Sequence, residues 1–180
     1  MNEKHMRRAI ALSKINVESL KGGPFGAVVV KNGKVIGEVT NLVTKNNDPT
    51  AHAEVEAIRQ ACKNLKTFDL SGAEIYTSCE PCPMCLSAIY WARIGKIYFA
   101  NTREDAADIQ FDDNHIYEEI PKPLDQRQIP AEQVLHNEAQ EVFKMWEKST
   151  SKIRYWRMKV RDTFMYLQER LNFLPSRLAR

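Results

Sequence analysis

Two short segments, His52-Ala53-Glu54 and Pro81-Cys82-Pro83-Met84-Cys85, restrict this chain of 180 residues more than any other feature. Cys82 and Cys85 stand at positions i and i+3 where a helix is expected to begin, with Pro83 suited to its first turn. Such positions share a helix face, so both sulfurs can meet one ion, and the positive helix start favours thiolates. A closed structural zinc site needs two more Cys or His at similar spacing, and the sequence holds no second Cys-x-x-Cys. His52, opening the preceding helical stretch, supplies a third ligand instead. One His and two Cys with a fourth position open to water is the donor set of a catalytic zinc. The fold must therefore bring two helix starts to one point.

Glu54 adds a base beside the metal. In a regular helix, residues two apart diverge by roughly 200°, so His52 and Glu54 must sit where the helix begins. Two thiolates neutralise much of the zinc charge, and an adjacent proton acceptor then gains value. Of the other two cysteines, Cys62 reads as a core residue. Cys79 reads as a buried thiol, the alternative being a fourth ligand that would close the site. Glu80 has two open readings, proton transfer or structure. His5, His115 and His136 have no partners at ligand spacing.

Around these segments, strands and helices alternate. Residues 3–20 carry Ile10, Ala11, Ile15, Val17 and Leu20 at helical spacing. The runs 27–31 and 34–40 are β-branched and joined by Asn32-Gly33, a hairpin signal. A helix follows from Thr50, with Asp48 or Thr50 as its N-cap and Val55, Ile58, Ala61, Cys62 and Leu65 on its apolar side. Strands are expected at 73–78 and 96–101, the metal-binding helix between them. After Gly95 the chain contains no further glycine and reads as helical, with helices at 103–110 and 131–149. This order predicts an α/β fold with a mixed sheet. From Ile153 to Leu174 an apolar stripe at three- and four-residue steps predicts an amphipathic helix that packs on something.

Taken together, "HAE" and "PCPMC" match the H-x-E…P-C-x-x-C signature of zinc deaminases. With "GGPFGAVVVKNG", "NDPTAHAEVEAIR", "YTSCEPCPMCLSAIYWAR" and "FDDNHIYEEI", residues 4–155 resemble the bacterial guanine deaminases of the cytidine-deaminase-like superfamily. The resemblance implies a three-layer fold with a five-stranded mixed sheet between helices. It further implies zinc on His52, Cys82 and Cys85, and Glu54 as catalytic acid/base in hydrolysis of guanine to xanthine and ammonia. For the base it implies contacts from Asn41, the backbone near Ala53, Phe25, Trp91 and Asp113. It also implies a homodimer with exchanged C-terminal segments, in which Tyr155 reaches the neighbouring site. A transfer-RNA adenosine deaminase shares the zinc signature and is the alternative function. The relatives end near Tyr155, so residues 1–155 read as the deaminase domain and 156–180 as a helical extension.

Composition narrows partners and location. No apolar run reaches the length of a membrane span, and the N-terminus lacks a signal-peptide core, so a cytoplasmic protein is expected. Close cysteines in that reducing setting read as metal ligands sooner than as a disulfide. Residues 144–180 hold ten Lys/Arg against three Asp/Glu, whereas the remainder is mildly acidic. The basic tail reads as a solvated helix face, with nucleic acid as the weaker alternative.

Overall fold

Asn32 and Gly33 both adopt positive φ, 51° and 74°, as in the two-residue turn whose twist matches flanking strands. They join β1 (Gly26–Lys31) to β2 (Lys34–Thr40), as the hairpin signal predicts. A computed structural model of the chain describes residues 2–155. In it β1 also pairs antiparallel with β3 (Ala73–Cys79), and β3 pairs parallel with β4 (Lys96–Asn101). The resulting order is β2-β1-β3-β4.

The unbroken apolar run of β1 is buried on both faces. Val28 and Val30 point to α1 (Glu3–Glu18), where they meet Ala9, Leu12 and Tyr76. Ala27 and Val29 point the other way, into a core shared with α3 (Ala53–Leu65) and α4 (Pro83–Trp91). Period-two alternation thus produces three layers: helix, sheet, helices.

Four strands, not five, make up the sheet among the described residues. The reason lies just past β4. Thr102 and Asp105 form a reciprocal capping box that launches α5 (Arg103–Asp108) directly from the strand. The chain then turns into α6 (Asn114–Glu119) rather than returning along β4.

Two local expectations are corrected. α1 buries His5, Ala9, Leu12 and Asn16, while Ile10, Ile15, Val17 and Leu20 stay exposed. Leu12 is the large apolar residue on its inner side, and Asn16 goes inside because its amide bonds backbone carbonyls, described below. The N-cap of α3 is His52, neither Asp48 nor Thr50. Asp48 instead accepts from both the Thr50 N–H and its hydroxyl, closing a local turn that occupies both side chains.

The chain divides into two units, Met1–Ala131 and Glu132–Arg180. In the second, α7 (His136–Lys148) is amphipathic with Val142, Phe143 and Met145 exposed. The stripe from Trp156 to Leu174 lies outside the described residues.

Candidate active site

His52 stands in extended conformation immediately before α3, and Glu54 falls in that helix's first turn. This break from helical geometry is what lets both side chains face one place. Cys82 occupies the equivalent cap position of α4, with Pro83 next and Cys85 buried in the first turn. The His52 side chain makes no bond to the helix it precedes. Two helix N-termini therefore aim their positive ends at the same point, an environment that favours anionic sulfur.

The donor atoms of His52, Cys82 and Cys85 all lie within 4.8 Å of one another. His52 Nδ1 is 3.6 Å from Cys82 Sγ and 3.5 Å from Cys85 Sγ. Tetrahedral zinc, with Zn–S of about 2.3 Å and Zn–N of about 2.0 Å, separates its nitrogen and sulfur donors by roughly 3.5 Å. The side chains are thus arranged as a zinc ion requires, with three protein donors and room for a fourth ligand.

Charge is unevenly shared within this cluster. The Cys85 hydrogen bond, aided by His52, pulls Cys82 down to about 4, while that shared bond and burial push Cys85 upward. His52 is raised by its bond to Cys82. Glu54, 5% exposed, is raised by burial, with the Thr77 hydroxyl opposing that shift. Cys79 is pushed up to about 11 by burial, and its thiol donates to the Thr102 carbonyl 3.3 Å away. It is a neutral thiol bound to backbone and is not among the three clustered donors.

A cavity of about 430 Å³ opens over the cluster, with His52, Glu54, Cys79 and Cys82 in its lining. Phe25, Asn41 and Asp113 also line it. Asn41 is held by its own backbone turn, its Oδ1 accepting from the Val43 N–H at 3.2 Å. Asp113 immediately precedes α6, and burial raises its carboxyl. Trp91 does not line the cavity and is more than half exposed. It stands six residues past Cys85 on α4, a displacement of about 9 Å along the axis. Ala53 is fully buried in the first turn of α3, between the two cavity residues His52 and Glu54. Tyr155 belongs to the second unit and is exposed.

The profile of the cytidine and deoxycytidylate deaminase zinc-binding region matches residues 1–101. The chain belongs to this family of zinc-dependent deaminases. Guanine deaminase of Bacillus subtilis (strain 168) is 50% identical over 154 residues, covering 86% of this chain and 99% of that protein. The X-ray structure of guanine deaminase from Bacillus subtilis superposes with a TM-score of 0.84, covering 87% of this chain and 100% of that one. A tRNA-specific adenosine deaminase of Aquifex aeolicus is 47% identical, but over 43% of this chain and 51% of its own length.

Several residues of this site lie outside the H-x-E and P-C-x-x-C motifs and are not marked by them. Thr77 shares the inward face of β3 with Ile75 and Cys79, and a hydroxyl there is a polar group among core positions. Asn16, 2% exposed, continues the buried side of α1 after Leu12. Its amide donates to the Gly23 and Asn41 carbonyls at 2.8 and 3.0 Å, tying together two segments that line the cavity. Gln110 and Phe111, also in the lining, lie in a stretch whose periodicity alone announces only a helix end.

Proposed function

We propose that this protein is a guanine deaminase, hydrolysing the exocyclic C2 amine of free guanine to give xanthine and ammonia. One observation carries the reading: a zinc donor triangle beside a buried carboxyl opens into a cavity lined by groups suited to a purine. The near full-length match to a guanine deaminase supports that base over others.

Zinc bound at His52, Cys82 and Cys85 supplies an activated water. Glu54 is the catalytic acid/base. Its Oε1 is held by the Thr77 hydroxyl, and its Oε2 lies 3.5 Å from Cys85 Sγ. Glu54 accepts one proton from the attacking water and delivers it to a ring nitrogen; it then takes the second proton from the oxygen added at C2 and gives it to the departing amine. Burial helps here, because a carboxyl raised towards neutrality gives up its proton as readily as it takes one. Asn41 offers both a donor and an acceptor to the base edge, and Asp113 accepts from guanine N–H groups. Phe25 covers a ring face. The backbone near Ala53 completes the base contacts.

The finer parts of this reading are a homodimer with exchanged C-terminal segments, a cytoplasmic address and a place in purine breakdown or salvage. Exposed Tyr90 and Trp91 at the end of α4 and Phe99 on the edge strand β4 support association. In the dimer, Tyr155 of one protomer closes the other's cavity and Trp91 approaches the base. Residues 1–155 form the deaminase domain, and 156–180 are an extension beyond it.

The zinc-loaded protein is incubated with guanine and xanthine and ammonia are measured. Turnover is expected, and Glu54→Gln should lower kcat by at least about a hundredfold with zinc retained. Deamination of adenosine in a tRNA anticodon stem, with none of guanine, would overturn the reading.

A further inference from the structure

Four successive residues, Gln110 to Asp113, line the cavity. A run of neighbours on one side of a cavity needs an unusual backbone, and Gln110 supplies it with φ of 71°. The chain leaves α5 through a specific pair of hydrogen bonds. The Gln110 N–H donates to the Ala107 carbonyl at 2.9 Å, and the Phe111 N–H to the Ala106 carbonyl at 3.0 Å. These are the two bonds of the Schellman helix stop, whose left-handed position is usually glycine. A glutamine there carries a steric strain that glycine lacks. The same pair of bonds ends α3 at Lys66 and α4 at Arg93, both also non-glycine, so what sets Gln110 apart is its place in the cavity lining. Among the described residues the Gln110 amide has no hydrogen-bond partner in the protein.

Phe111 is the second half of the corner. Its ring stands edge-on to Phe25, at right angles with centroids 5.0 Å apart. The two rings thus meet as a right-angled aromatic wall. Phe111 is 46% exposed, so it is not a core plug; it borders open space. Gly23 sets the spacing of the wall. A Cβ at that position would meet Phe25 ring carbons at 3.1 Å and Phe111 Cζ at 3.2 Å, tighter than ordinary contact.

We propose that the Gln110–Phe111 corner is a specificity-determining element of the base site, a proposal that rests on the guanine reading above. Phe111 extends the aromatic wall that Phe25 begins against the purine, and the Gln110 amide hydrogen-bonds a polar edge of the base. The stops at Lys66 and Arg93 present no residue to the cavity, whereas this one presents two, and a packing role alone would bury Phe111. Gly23 keeps the wall in register by leaving both rings undisturbed.

The test is steady-state kinetics of the zinc-loaded, full-length protein on guanine, paired with thermal melts. Gln110→Gly relieves the strained backbone and removes the amide, so Tm should rise by a few degrees while KM rises about fivefold, more than kcat falls. Phe111→Leu should raise KM about tenfold, again more than it lowers kcat, and Phe111→Tyr should restore KM to within about twofold. Gly23→Ala should raise KM in the same direction. A stabilised Gln110→Gly variant with the wild-type KM would show a helix stop and nothing more. An unchanged KM in Phe111→Leu would equally overturn the proposal. Absence of guanine turnover by the wild type would overturn the functional reading, and this inference with it. Wild-type turnover with unaffected variants overturns this inference alone.

Discussion

The Thr77 hydroxyl lies 3.0 Å from Glu54 Oε1, with both side chains almost wholly shut off from solvent. The same hydroxyl is 2.9 Å from the Cys79 carbonyl. It has one hydrogen and two acceptors within reach. When Glu54 is ionised the hydroxyl donates to the carboxylate; when Oε1 is protonated it can turn to Cys79 and accept instead. Thr77 therefore keeps a buried carboxyl satisfied in either state, which a proton shuttle needs and an ordinary core residue does not. Thr77→Val keeps the shape and removes the hydroxyl. Turnover of guanine should fall about tenfold or more, while metal analysis still finds the wild-type zinc content. A wild-type kcat in this variant would show that the bond has no part in proton transfer.

The cysteines should separate cleanly on substitution. Cys82→Ser and Cys85→Ser should each lose zinc and activity, since each removes one of three protein donors. Cys79→Ser should keep both, because its thiol is neutral at physiological pH and bound to the Thr102 carbonyl. Metal content measured after dialysis decides the matter. Loss of zinc from Cys79→Ser would make that residue a fourth ligand.

What could be read from the residues, and what could not, follows from the range of the forces involved. The metal donors, the hairpin at Asn32-Gly33 and the alternation of β1 are local signals, and spacing alone carries them. The buried side of α1 is different. Ile10, Ile15, Val17 and Leu20 are the apolar choices, yet Asn16 goes inside because carbonyls from two distant loops need its amide. Likewise, the α3 cap falls at His52 because Asp48 and Thr50 bond each other. Trp91 looks like a stacking residue by resemblance, but the length of α4 carries it away from the cavity within its own chain. Gln110 could not be picked out without its place in the cavity lining.

Asn16 invites its own test. The buried amide makes two hydrogen bonds across the sheet face to segments that line the cavity. Asn16→Ala leaves both carbonyls without that donor, at a cost of about 2 kcal/mol. Tm should fall by several degrees. Because the Asn41 segment loosens as well, KM for guanine should rise with zinc content intact. A lower Tm with unchanged KM would confine Asn16 to the scaffold.

Asp69 ties together the far ends of the two helices whose starts hold the metal donors. Its carboxylate accepts from the Ser71 N–H at 2.9 Å and pairs with Arg93, just beyond α4, while the Leu70 N–H donates to the Ala92 carbonyl at 2.9 Å. The Ser71 bonds, with Arg93 adding to them, hold the carboxyl at about 2, below its ordinary 3.8. A carboxyl depressed in the folded state stabilises above the unfolded value and loses that contribution as pH falls through the folded one. Asp69→Asn should therefore lower Tm at neutral pH, by an amount equivalent to about 1 kcal/mol or less because the pair is partly exposed. The gap between variant and wild type should narrow from about pH 4 and close near pH 2. Thermal melts of both proteins across that range measure it. A gap that stays constant with pH would mean that Asp69 acts by shape, not by charge.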